Sequence, residues 1–78
     1  MQPIEVVARF DKQGQVTPTR LVWRNHTYAI ESTGRRWQAT DGLHILVTTA
    51  EGRMFELRFD LPVGVWYLVQ AGPVRMAL

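Results

Sequence analysis

Apolar and polar residues alternate along most of this chain, the pattern of strands that turn one face to a core. Strand one is read over Ile4 to Phe10, with Ile4, Val6, Ala8 and Phe10 on one side. Strand two runs from Thr19 to Arg24, with Leu21 and Trp23 inward. A loop at Lys12-Gln13-Gly14-Gln15 then sets Val6 against Leu21 and Ile4 against Trp23. Strand three runs from Thr27 to about Ser32. A two-residue turn at Asn25-His26 pairs Trp23 with Tyr28 and Leu21 with Ile30, and the inner faces agree.

Strands four and five are read over Leu43 to Thr49 and Arg53 to Asp60. A two-residue turn at Glu51-Gly52 sets Val47 against Glu56 and mixes the faces. A three-residue turn, Ala50-Glu51-Gly52, sets Val47 opposite Phe55, Ile45 opposite Leu57 and Leu43 opposite Phe59. It also puts Gly52 where a left-handed backbone is wanted. Strand six, Val65 to Gln70, follows a turn at Leu61-Pro62-Val63-Gly64 that pairs Phe59 with Trp66 and Leu57 with Leu68. Its other face carries Val65, Tyr67 and Val69, so something is expected to cover it twice: barrel closure or a partner chain. Thr33 to Gln38 breaks the alternation, and Gly34 reads as a bulge or sharp bend.

Six strands with one continuous inner face predict an all-β fold, a six-stranded antiparallel meander forming a strongly bent sheet or a small SH3-like barrel. Residues 1–70 form the single β-meander domain and 71–78, with Gly72-Pro73, a C-terminal tail. Trp23, Trp66, Tyr28, Phe55 and Phe59 fall on the inner face and read as core.

Composition narrows the function. The 78 residues include no cysteine and two histidines, His26 and His44, which excludes a disulfide scaffold and supplies no structural zinc set. The start, Met1-Gln2-Pro3-Ile4-Glu5, has no basic stretch before an apolar run, and the longest apolar stretch, Val63 to Val69, is too short to cross a bilayer. A cytoplasmic protein without membrane contact is expected. The net charge is +2, and eight of the nine cationic residues are arginine. Residues 18–40 carry a net +3 and residues 41–60 a net −2, so the two regions differ in sign.

The sharpest candidate for chemistry is Arg35-Arg36-Trp37 together with Arg20 and Arg24. Guanidinium groups pair with phosphate and an indole can stack a base, so these five residues are a candidate nucleic-acid surface. The competing reading has Trp37 capping the core and the arginines solvated. Glu56, Arg58 and Asp60 share the outer face of strand five and read as solvated charge. No nucleophile–base pair, nucleophile elbow or phosphate loop is present, so neither an enzyme nor a cofactor is expected.

Trp23-Arg24 with Tyr28 and Ile30, then Gly34-Arg35-Arg36-Trp37, then Val47, Gly52, Phe55, Leu57, Asp60, Trp66 and Leu68 together resemble a small uncharacterised bacterial domain. That domain is associated with proteins of the Y-family-polymerase-like DNA repair system. The likeness covers roughly residues 3–70, and it implies a role near DNA metabolism but assigns chemistry to no residue. The expected function is a small binding module, nucleic-acid-associated or a DNA-repair accessory, with nucleic acid or a repair protein as partner. The alternative is a protein-interaction or homodimerisation domain using Val65, Tyr67 and Val69. The orientation of Trp37 discriminates between binding surface and core.

Overall fold

A computed structural model describes residues 2–72 and contains six strands: β1 (Gln2–Phe10), β2 (Val16–Trp23), β3 (His26–Ala39), β4 (Gly42–Thr49), β5 (Met54–Asp60) and β6 (Val65–Ala71). Each pairs antiparallel with the next, and β1 pairs with β6, so the meander closes into a small barrel. Ala71 is the last residue of β6 and so belongs to the barrel, not to a tail. The rest of the expected tail, from Pro73 on, lies outside the described residues.

The core is the inner face that alternation assigns. Leu21, Tyr28, Ile45, Val47, Phe55, Leu57, Phe59, Trp66 and Leu68 are buried, and Trp23 packs against them half-buried. Phe55 meets Trp23 and Tyr28 with ring centroids 5.4 and 5.2 Å apart, and Phe59 meets Trp66 at 4.7 Å. The register over β4–β5 is the expected one, Val47↔Phe55, Ile45↔Leu57 and Leu43↔Phe59, with Gly52 at φ 87°. Phe59↔Trp66 and Leu57↔Leu68 also form, before a bulge shifts the ladder between Leu57 and Glu56.

Two expectations need correction. The β2–β3 turn is Arg24-Asn25, not Asn25-His26. Trp23 pairs with His26, Leu21 with Tyr28, and the turn residues have φ 53° and 61°. Two successive left-handed residues are what a twist-matched hairpin turn requires. Sliding the register by two leaves every inner residue inside, so face agreement could not tell the two turns apart. Second, β3 does not end near Ser32 but runs through Thr33–Gln38 to Ala39. Its irregularities are two bulges against β4, one between Ile30 and Ser32 and one between Thr33 and Arg36, the latter spanning Gly34.

The ladders leave one part of the barrel wall incomplete. β1 keeps its β6 partner only from Gln2 to Ile4, and β2 keeps its β3 partner only from Arg20 to Trp23. The distal half of the β1–β2 hairpin therefore has no ladder partner on either side among the described residues. Within it, Pro18 sits opposite Ala8 and the register shifts at Thr19, whose hydroxyl donates to the Val7 carbonyl.

Candidate functional site

The ends of β1, β3 and β5 meet the starts of β2, β4 and β6 at one mouth of the barrel. A groove of about 880 Å³ opens there, walled by Phe10, Val16, Leu43, Phe59, Leu61 and Pro62, with Asp41, Arg58 and Asp60 along its edge. Phe10 was expected inside. It is 57% exposed at the rim, and its ring lies against the core ring of Phe59, centroids 5.8 Å apart. Leu61 and Val63, in the β5–β6 turn, are more exposed still at 72% and 62%. Gly42 is required at this end: a Cβ there would lie 2.5 Å from the Phe59 carbonyl oxygen, at φ +135°.

A charged and aromatic cluster covers the neighbouring outer face of β3–β6. His44, 8% exposed, faces a carboxylate with each ring nitrogen: Nδ1 lies 2.9 Å from Glu56 Oε2 and Nε2 lies 2.8 Å from Asp41 Oδ1. Only an imidazolium donates from both nitrogens. The hydrogen bond to Asp41 raises the His44 pKa above its ordinary value, against the opposing effect of burial and with help from Glu56. The same bond lowers the Asp41 pKa. Trp37 stacks on His44, with centroids 5.1 Å apart and planes 16° from parallel. Arg58 donates from Nη1 to the Asp41 carbonyl, holds Nε 3.6 Å from Asp41 Oδ2 and Nη1 3.8 Å from Asp60 Oδ2, and lies 4.3 Å over the Tyr67 ring. Asp41 and Arg58 belong to both the cluster and the groove.

The five arginine and tryptophan candidates do not form one surface. Arg35 and Trp37 come together on the outer face, the guanidinium 4.9 Å over the indole. Arg36, between them in the strand, turns to the opposite face by simple alternation, opposite Ile45. It is half-buried and donates from Nη1 to the Val16 carbonyl at 2.9 Å, across the gap where β2 and β3 have no ladder. Arg24, in the β2–β3 turn, lies over Trp23 at 4.4 Å. Arg20 pairs with Ala29, eight residues from Trp37 along β3, which is roughly 25 Å of extended chain. Trp37 itself is half-buried and outward, neither a free stacking platform nor core. Val65, Tyr67 and Val69 are half-buried on the outer face of β6, where Arg58 partly covers Tyr67.

The His44 cluster escapes a reading that treats each histidine singly. Its signal is in the β4–β5 register, which sets His44 opposite Arg58 and one step from Glu56 on the same face. Each ring nitrogen of His44 already faces a carboxylate oxygen within hydrogen-bond distance. Among the described residues, no group of three or more His, Cys, Asp or Glu is placed to hold a metal ion. No helix among them is long and apolar enough to cross a membrane. No family model, curated protein or solved structure matches this chain.

Proposed function

We propose that this chain is a small binding module, acting in the cytoplasm without catalysis, and that the apolar barrel mouth is its ligand surface. The observation that carries this reading is the meeting of exposed Phe10 and Leu61 at one groove, with exposed Val63 two residues on in the same β5–β6 turn. Phe10 and Leu61 are two of the four large apolar side chains exposed among the described residues. The groove's volume suits a ligand or a few side chains of a partner. Exposed apolar residues grouped in this way mark interaction surfaces, whereas scattered ones are ordinary. Titration of labelled protein with short apolar peptides is expected to move the amide resonances of Gly14, Gly42 and Leu61 ahead of those of Gly52 and Arg53 at the far end. Leu61→Asp is expected to abolish the shifts. Shifts spread evenly over the molecule, or surviving in that variant, overturn the assignment.

A second reading, association with nucleic acid or with a DNA-repair protein, is favoured by Arg35 lying over the outward-facing Trp37 and by the likeness described above. Arg35 and Trp37 carry it; Arg36, engaged with Val16, contributes least. A salt titration of binding to single-stranded and duplex DNA decides it, since phosphate contacts weaken steeply with salt. No salt-dependent binding at low ionic strength removes the idea. A mass that rises with concentration and returns to monomer in Tyr67→Glu would instead place a homodimer interface on β6.

A further inference from the structure

β1 outlasts its neighbour. Its last pair with β6 is Ile4↔Trp66, and Glu5 to Phe10 continue against β2 alone. Along a strand, successive residues turn their backbone N–H and C=O to opposite sides. The Asp11 N–H donates to the Gln15 carbonyl and the Val7 carbonyl accepts from Thr19, so the odd positions face β2. Val6, Ala8 and Phe10 therefore direct their backbone groups to the side that β6 has left, where no described residue pairs with them. Val7 and Phe10 stand on this edge and Leu61 faces Phe10 across the mouth, three of the four exposed large apolar side chains among the described residues. Native sheets blunt such edges with lysine, proline or a covering segment. Here β1 has no lysine, its single proline, Pro3, lies in the stretch already paired, and the open stretch carries one charge of each sign, Glu5 and Arg9.

We propose that the Glu5–Phe10 edge of β1 receives an extended segment of a partner polypeptide as an added strand, with alternate apolar side chains resting on Phe10 and Leu61. This rests on the mouth being the ligand surface and names the ligand's chemistry. Main chain is the one common ligand whose donors and acceptors repeat with the strand period. A purely apolar molecule would leave the three backbone positions unpaired beneath it. Nucleic acid would meet apolar side chains among balanced charges, Glu5, Asp11 and Asp60 beside Arg9, Lys12 and Arg58, with no basic excess to hold phosphate.

The test is amide hydrogen exchange on the full chain with a capped octapeptide of alternating threonine and valine between terminal lysines. Its fully N-methylated counterpart keeps the side chains and loses the donors. The first peptide is expected to slow exchange at Val6, Ala8 and Phe10 by about tenfold or more, leaving Val7 and Arg9, already bonded to β2, unchanged. Ala8→Pro removes one edge donor without touching the β2 ladder, and Val7→Lys charges the edge in a fold that needs no change. Both are expected to weaken binding by about tenfold. Equal binding of the two peptides without slowed exchange overturns strand addition and leaves the mouth as ligand surface. No resonance shift with either peptide overturns both. Slowing that grows with protein concentration, without peptide, assigns the edge to a second copy and overturns the separate partner.

Discussion

His44 makes the stability of this barrel depend on pH in a defined direction. The folded state favours the imidazolium, so its pKa in the fold lies above the ordinary 6.5. The folded state thus binds the proton more tightly, and this contribution is fully present below about pH 6.5 and lost as pH rises through the folded value. A neutral ring keeps one N–H and turns a lone pair toward the other carboxylate. The bond to Glu56 joins two well-covered side chains, and a hydrogen bond to a charged partner contributes about 1.5–3 kcal/mol. Asp41 is exposed, and its share is screened by solvent. For a domain of this size that stability corresponds to a melting-temperature difference of about 10 °C. Thermal melts of wild type and His44→Gln should differ by about that much near pH 6 and converge as the pH rises. Ring NMR should show His44 titrating above the ordinary 6.5. Asp41 acts in the opposite sense: its pKa is lowered, so its contribution is present above the ordinary 3.8 and lost as pH falls through the folded value. Parallel melting curves for the two proteins across the range, or a His44 titrating below 6.5, would refute the doubly bonded imidazolium.

Gly42→Ala forces a Cβ against the Phe59 carbonyl and is expected to cost more than about 3 kcal/mol, whereas Gly64→Ala, with nothing within 4 Å and only a left-handed φ of 69°, should cost about 1–2 kcal/mol; urea denaturation compares them. Arg36→Met keeps an apolar stem but removes the bond to Val16, which should cost about 1.5–3 kcal/mol and speed amide exchange over Val16–Thr19. Leu57→Ala, fully buried between β4 and β6, should cost about 2–5 kcal/mol by chemical denaturation.

The strand pattern was legible wherever a turn glycine and an unbroken alternation agreed. Gly52 and the run from Leu43 to Phe59 leave one register that keeps a single apolar face, and that register forms. The β2–β3 turn was not legible in the same way, because Asn25 accepts a left-handed backbone at either turn position and a slip of two residues changes no face. The second half of β3 was hidden by its own bulges, since period two is the signal and a bulge interrupts it. With β3 extended through them, alternation divides Arg35-Arg36-Trp37: Arg35 and Trp37 go to the outer face and Arg36 to the gap beside Val16. The groove at the mouth depends on which ladders stop early, information that no single strand carries. The sequence did contain the His44 cluster, but only as a relation between two strands.

The short β1–β6 ladder has a further meaning for how the molecule is assembled. Five of its six ladders join strands adjacent along the chain, and only the pairs Gln2↔Leu68, Pro3↔Tyr67 and Ile4↔Trp66 span its length. Joining points so far apart in an unstructured chain costs about 4 kcal/mol of loop entropy. A meander already folded through its local hairpins has met most of that cost, so the long-range latch closes last and opens first. The first opening expected of the barrel is therefore an unlatched sheet, rolled but open. Its abundance is set by three residue pairs and the packing of Ile4, so small changes there would govern how often the barrel unrolls, with little effect on the hairpins that compose it.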